Sequence, residues 1–501
     1  MGSVAARAYE EKCKRIKMKE RVRMRMKMRT KMRYLVPLWL CSFLAVCGMA
    51  WGAAPSIPVR DADGLRGGAV QFVDVREECQ FIGWDSEEGP GGHIAGAMDF
   101  PASWLSLDVK PGTLDTELTR RGLKKDVKTV LYGNGSLEPS IVDRYAGLGF
   151  SDLVVLEGGY RAWTDAGLPT ERLKHYEILV SPRWVEELAA GKNPPTFKGG
   201  DFKIVEIYLN DKGKDVYLKG HIPGAVALDD SLNHVRGPRT VSEIEALPHG
   251  EQLRLWNRPS DEVIRQKLES LGITADTTVV LYGSEVATTA AYRCGLILRY
   301  AGVKDVRFLN GGRPLWEAEG RPLEPGEVPW GPSKEFGAKI PQNPQIIIDY
   351  DEELKLVSDP KAVIASIRSW DEYLCGKSGY TYIGEAGDVA NSRFGYAGSN
   401  PYAMEDYRNL DNTMFNADLM VARWRRWGIV PDKVISFHCG TGWRASETYF
   451  YAWAMGWPDI RVYDGGWYEW HKVPDSPRKP KGLPDDAPER SPESFFAPAA
   501  R

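Results

Sequence analysis

Cysteine is scarce in this chain, with seven among 501 residues. Cys13, Cys41 and Cys47 crowd near the start, which leaves Cys79, Cys294, Cys375 and Cys439 at wide, irregular intervals. Such spacing is no disulfide framework. No further Cys or His stands at ligand spacing around Cys439, so no metal and no cofactor are expected. Long apolar runs are equally rare: the uncharged stretch Leu35 to Ala54 stands out. A net positive balance is missing from most of the chain. Residues 1–33 hold 13 Lys/Arg against 3 Glu, a balance of 13 − 3 = +10, so the rest carries −3 − 10 = −13. An acidic body excludes nucleic acid as the main partner.

The basic start followed by an apolar stretch and small residues reads as a secretory signal peptide over 1–52, with Ala50-Trp51-Gly52 before a cut at Ala53. Met18, Met24, Met26, Met28 and Met32 offer later starts. Twenty uncharged residues also suffice for an uncleaved anchor, and Cys47 offers a lipid-anchor alternative. Export without stable membrane insertion is the expectation.

The chemistry concentrates in His438-Cys439-Gly440-Thr441-Gly442-Trp443-Arg444-Ala445-Ser446. A β-type run, Val434 to Phe437, enters it, and a helix-compatible run from Glu447 to Ala454 leaves it. Consecutive N–H groups at such a turn converge on one spot and make a nest for an anion. The nest, the helix start and the Arg444 cation all favour a thiolate. Two glycines let the backbone bend around the sulfur. The competing reading of Cys439 is a buried small hydrophobe. His438 points to the other side of its strand and reads as structural.

Three segments share a short apolar strand, a Gly pair, three residues and a Trp: Val155 to Trp163, Phe308 to Trp316 and Val462 to Trp470. Their first glycines lie 311 − 158 = 153 and 465 − 311 = 154 residues apart. Earlier apolar strands recur with the same period: Thr129 to Gly133, Val279 to Gly283 and Val434 to Phe437. Further upstream lie Phe72 to Arg76, Lys203 to Ile207 and Val363 to Arg368. Helical stretches such as Ile264 to Leu271 and Ala417 to Trp427 alternate with them, which implies parallel sheets flanked by helices. A repeat this long is a whole domain. The units are placed at 55–170, 178–325 and 345–476, with linkers at 167–171 and 320–344 and a disordered tail over 477–501. Where copy three has its cysteine, copies one and two read Gly133-Asn134-Gly135-Ser136 and Gly283-Ser284-Glu285-Val286. Only the third copy is expected to be catalytic; Cys79 and Cys294 read as packing residues.

The Asp74/Arg76 strand, the His93-Ile94-Ala95-Gly96-Ala97 and His221-Ile222-Pro223-Gly224-Ala225 segments, the Cys439 loop and the Gly-Gly-x-x-x-Trp closures together resemble the rhodanese family of sulfurtransferases. Three copies behind a leader resemble its three-domain periplasmic bacterial members. The resemblance implies an α/β fold of three rhodanese-like domains, the last one active. It implies transfer of a sulfane sulfur from thiosulfate or a related small anionic donor, through a Cys439 persulfide, to a thiophilic acceptor such as cyanide or a thiol. Cys439 would be the nucleophile, and Arg444 would hold donor and thiolate. Gly440, Thr441, Gly442 and Trp443 would cradle and wall the pocket, and Arg393 would touch substrate or else form a surface salt bridge. Cys439-Gly440-Thr441-Gly442 resembles the loop of mercaptopyruvate sulfurtransferases, so 3-mercaptopyruvate is an alternative donor. Copy three also lacks the His-Ile segment and carries an insert, Gly379 to Asn391, in its place. A cysteine phosphatase or arsenate reductase uses a similar cradle, but phosphatases of this kind place five residues between Cys and Arg, and here there are four.

Overall fold

The computed structural model describes residues 55–107, 109–284 and 286–488. The leader, with the signal, anchor and lipid readings placed on it, lies outside those residues, as do Glu285 and 489–501.

The repeated strands build three five-stranded sheets. In copy one, β1 (Ser56–Ile57), β2 (Val70–Asp74), β4 (Met98–Asp99), β5 (Lys128–Tyr132) and β6 (Leu153–Leu156) lie in the order β1-β6-β5-β2-β4. A separate antiparallel pair joins β3 (His93–Ile94) to β7 (Thr170–Glu171). Copy two arranges β8 (Leu179–Val180), β9 (Phe202–Tyr208), β10 (Val226–Asp229), β11 (Thr278–Gly283) and β12 (Asp305–Leu309) as β10-β9-β11-β12-β8, the same order read from the other edge. Copy three follows with β13 (Ile347–Ile348), β14 (Ala362–Ser366), β15 (Arg393–Phe394), β16 (Val434–His438) and β17 (Ile460–Tyr463), ordered β13-β17-β16-β14-β15. Every pairing within the three large sheets is parallel, with Ala362 opposite Val434 and Ser366 opposite His438 in the third. The central strands are largely apolar because helices cover both their faces. In each copy the central strand (β5, β11 or β16) delivers its loop at the carboxyl edge of the sheet, where ligands of α/β folds bind.

The Gly-Gly-x-x-x-Trp motif has a physical cause in all three copies. The second glycine, Gly159, Gly312 or Gly466, has φ of 59°, 59° or 53° and lies under the loop carbonyls. A β-carbon there would come within 2.5 Å of Gly135 O, 2.9 Å of Gly283 O or 2.6 Å of Cys439 O. Trp163, Trp316 and Trp470 are fully buried, and each indole N–H donates to a proline carbonyl, of Pro169, Pro322 and Pro477, at 3.0, 3.0 and 2.8 Å.

The copies interlock. Helix α1 (Val286–Ala301) of copy two packs on α3 (Trp443–Ala454), the helix that follows the cysteine loop; α2 is Ala417–Arg426. Thr289 donates to Glu447 at 2.8 Å, and Arg408 clamps both oxygens of that carboxylate at 2.8 and 2.7 Å. Copy three reaches copy one through Asp411, which accepts from the Trp104 indole at 2.7 Å, and through Asn416, which donates to Asp99 at 2.8 Å.

The tail reading needs correction for residues 477–488, which dock on copy three. Pro477 accepts from Trp470 and Ala390, Lys479 is 7% exposed with its ammonium on Tyr373 O at 3.0 Å, and Asp486 pairs with Arg393. Charge and proline suggested a solvated end; specific buried partners for that charge override the composition.

Beneath β16, Glu353 is fully buried and accepts from Ser436. Burial pushes its carboxyl from 4.5 to about 8, against weaker pulls from the Ser436 hydrogen bond and Arg461. A folded-state value above the unfolded one stabilises fully below about 4.5 and loses that contribution as pH rises through about 8, about 5 kcal/mol in all. Glu353→Gln is therefore expected to lessen the loss of stability between pH 5 and 9, measured by urea denaturation of both proteins across that range.

Candidate active site

Strand β16 ends at His438 and α3 begins at Trp443, so Cys439 to Gly442 form the turn between them. Its shape is set from outside. Helix α4 (Gly466–Trp470) places the Trp467 and Tyr468 N–H groups on Cys439 O and Gly440 O at 2.8 and 2.9 Å. Those carbonyls are thereby turned away. The N–H groups of Gly440, Thr441 and Gly442 have no protein acceptor among the described residues, the arrangement an anion nest requires. Gly442 caps α3 at φ 80°, where a β-carbon would lie 3.1 Å from Asp464 O and 3.2 Å from the Arg293 guanidinium.

The Cys439 thiol is free and only 1% exposed. Its cover is Tyr380, from the insert peculiar to copy three. The Tyr380 ring lies so close over Gly440 that a β-carbon there would sit 2.3 Å from it. Its hydroxyl accepts from Arg444 at 3.0 Å and donates to Pro401 O at 3.2 Å. Next to it, Tyr382 packs against Trp256 of copy two, ring centres 4.7 Å apart.

Arg444 is 2% exposed and grips Glu372 with two nitrogens at 3.1 and 3.0 Å. Arg368 reaches the same carboxylate at 3.2 Å, and Asp388, 3.6 Å from Arg368, receives the Ser366 hydroxyl at 2.7 Å. Burial by itself raises the Glu372 carboxyl, yet Arg444, Arg368 and hydrogen bonds from Arg444 and Ser369 outweigh it and hold it at about 2. His438 is fully buried 3.3 Å from Asp388, with burial depressing its basicity. It underlies the loop, as the strand alternation requires.

Two expected roles change. Arg444 was read as the residue gripping the donor; its guanidinium is committed to Glu372 and Tyr380, because a cation buried this deeply needs a carboxylate. Arg393 is no pocket residue: it makes the surface alternative, a two-pronged pair with Asp486 at 2.6 and 2.7 Å. Trp443 is half-buried at the start of α3, facing His234 of copy two at 5.1 Å between ring centres. Burial, with Arg293, Arg239 and Arg236 behind it, pushes His234 down to about 3.

Glu372, Tyr380, Tyr382 and Arg239 escaped the sequence reading. Glu372 was findable: Ser369-Trp370-Asp371-Glu372 is a capping box, and the structure forms both of its bonds. The tyrosines lie in the insert noted as a departure from the family pattern. Arg239 comes from another copy, its guanidinium 4.7 Å from the Trp256 ring centre and 5.8 Å from that of Tyr382. Cys79 and Cys294 pack as expected, and burial pushes both thiols up to about 12. All four described cysteines are free.

Residues 62–166, 197–319 and 349–473 each match the Rhodanese-like domain. The chain belongs to the rhodanese family of sulfurtransferases. Among the relatives of this rhodanese, the thiosulfate sulfurtransferase YnjE of Escherichia coli K12 is 38% identical over 433 residues, which are 86% of this chain and 93% of that protein. The sulfur carrier protein TtuD of Thermus thermophilus is 30% identical over 307 residues, 59% of this chain and 94% of that one. An anaerobic ergothioneine biosynthesis enzyme from Chlorobium limicola, solved with its natural substrate trimethyl histidine, superposes with TM-score 0.78 at 35% identity, over 86% of this chain and 100% of that one.

Proposed function

We propose that Cys439 takes the sulfane sulfur of thiosulfate as a persulfide and hands it to a thiophilic acceptor, cyanide or a small thiol. The Cys439 thiolate attacks the outer sulfur; the S–S bond of thiosulfate breaks and sulfite leaves with the electron pair. The acceptor then attacks the terminal sulfur of the persulfide, and Cys439 departs as thiolate. One observation carries this reading: of three equivalent loops, one holds a thiol, and there the N–H groups of Gly440, Thr441 and Gly442 are free to stabilise the anionic sulfur.

Arg444 and Glu372 hold the loop, Trp443 and Tyr382 wall it, and Tyr380 covers it. The donor's anionic end falls to Arg239, which is exposed at the rim and makes no ion pair among the described residues. Arg239→Ala is expected to raise the thiosulfate KM on the order of tenfold with kcat little changed, the worth of one charge-assisted hydrogen bond. Steady-state kinetics at several thiosulfate concentrations measure the split. Pre-incubation with thiosulfate should add the mass of one sulfur to the Cys439 peptide, and cyanide should remove it as thiocyanate. Absence of both overturns the reading.

A second acceptor is favoured by a specific match. In one solved structure of EanB, an enzyme 34% identical to this chain over 86% of it (TM-score 0.77), ergothioneine is covalently linked with a persulfide cysteine, and the substituted tyrosine and threonine lie 59 residues before and two after it. Tyr380 and Thr441 have that spacing here, 439 − 380 = 59 and 441 − 439 = 2. At the spacings of that enzyme's two other substituted cysteines, 439 − 366 = 73 and 439 − 397 = 42, this chain has Ser366 and Ala397. The exposed cation of Arg239 also suits an anion better than a trimethylammonium group. Ergothioneine formation from trimethyl histidine, assayed beside thiocyanate formation, separates the two.

The partners are then small molecules, and the acidic body argues against nucleic acid. The basic and apolar leader supports export to the periplasm, to be tested by cell fractionation. Among the described residues no helix is long and apolar enough to cross a membrane.

A further inference from the structure

Away from the cysteine loop, a cavity of about 230 Å³ opens where copy one meets copy three, lined by Glu78, His93, Asp99, Glu171 and Asp418 among others. His93 is its most informative member. The residue is 6% exposed, and its ring stacks on Phe81 at 3.7 Å, the planes 4° apart. Its Nδ1 stands 2.8 Å from Phe81 O. A carbonyl only accepts, so Nδ1 carries the proton and donates.

Nε2 is buried without a hydrogen-bond partner and faces two carboxylates, Glu171 Oε2 at 3.8 Å and Asp418 Oδ2 at 4.0 Å. A lone pair aimed at two anionic oxygens is repulsive unless a cation lies between them. Both gaps exceed hydrogen-bond length, so a proton on Nε2 would leave ion pairs only. Ligands of a metal ion at about 2.1 Å in tetrahedral array stand ~3.4 Å apart, a few tenths of an ångström inside the two separations from Nε2.

We propose that His93, Glu171 and Asp418 bind a divalent first-row metal ion of the zinc type, which ties copy one to copy three. The three ligand atoms lie within 4.8 Å of one another, the one such group among the described residues. Support around them is in place, as metal sites require. The Phe81 carbonyl fixes the histidine tautomer, and the Gly96 N–H donates to Glu171 Oε2 at 3.1 Å. Strand pairing sets His93 opposite Glu171, and Asp418 projects from the first turn of α2. The remaining charges are occupied or remote: Asp99 is bound by Arg121 at 3.1 Å and by Asn416, and Arg172 turns to Tyr176. Burial holds the Glu78 carboxyl well above its ordinary range. The open side of the cavity leaves the fourth position to water.

Copy two supplies an internal control. His221 stacks on Tyr217 at 4.1 Å, has Nδ1 3.0 Å from Tyr217 O, and faces Glu324 at 3.4 Å. The His–Glu pair is therefore part of the repeated fold, and Asp418 is the addition that makes a site of three.

The test is titration of the full chain with Co²⁺, a spectroscopic stand-in for Zn²⁺, in a Cys439→Ser background so that the active thiol takes none. One equivalent is expected to bind and give visible ligand-field absorption. Asp418→Asn, exposed and harmless to folding, and His93→Ala should each weaken binding at least tenfold, and added Zn²⁺ should raise Tm in the parent but not in Asp418→Asn. Asp418→Asn alone, with Cys439 intact, should transfer sulfur like the parent. A parent that binds no Co²⁺, or an Asp418→Asn chain that binds it as tightly, overturns the proposal.

Discussion

Cys439→Ser is expected to lower thiosulfate-to-cyanide transfer on the order of a thousandfold or more while leaving the fold intact. The loss is large because a nucleophile and the groups that stabilise it act as one unit, so removing the nucleophile forfeits the whole contribution. A hydroxyl is nearly isosteric with the thiol and finds donors in the free N–H groups of the loop, so stability should hold. Transfer assays, with circular dichroism as the folding control, check both halves. Persisting activity would mean that another thiol carries the sulfur. Cys79 and Cys294 are poor candidates, since burial raises both far from ionisation.

Removing Glu372 is the most destabilising single change expected. Arg444 and Arg368 both rely on this carboxylate in a site closed to water, with Glu372 and Arg368 fully buried and Arg444 2% exposed. Glu372→Gln leaves two buried cations undercompensated, at about 3–5 kcal/mol. Because Arg444 also holds the Tyr380 hydroxyl, the cover over Cys439 should loosen and activity fall with stability. The pH dependence has a definite sign. A carboxyl held at about 2 when folded, against 4.5 ordinarily, stabilises fully above about 4.5 and loses that contribution as pH falls through about 2, about 3 kcal/mol in all. The stability gap between parent and Glu372→Gln should be wide at pH 7 and narrow towards pH 2, as read from urea midpoints. A gap that ignores pH would show that shape, not charge, explains the loss.

The residues that could be read from sequence are those whose partners lie close along the chain or recur at the repeat. The cysteine loop announces itself because a strand, two glycines and a helix start are contiguous. The Gly-Gly-x-x-x-Trp closures are legible because each copy must bring a β-carbon-free residue onto the same loop carbonyls. Arg444 was visible as a cation beside the cysteine, but its partner was not: Glu372 lies 444 − 372 = 72 residues away, and only folding shows that the pair satisfies itself. Arg393 stayed undecided between substrate and a surface salt bridge for the same reason, its partner Asp486 lying in a segment that composition marked as disordered.

The chain's own order of residues decided that there are three α/β units, that one alone holds a thiol in its loop, and that sulfur is its chemistry, since periodic burial and contiguous turns are local properties. Tertiary structure decided who covers the thiol, which wall faces it, and that His93, Glu171 and Asp418 meet. Tyr380 lies in a distant insert of the thiol's own copy, whereas Trp256, Arg239 and the three ligands draw on different copies; such encounters depend on packing, which no short stretch of sequence encodes.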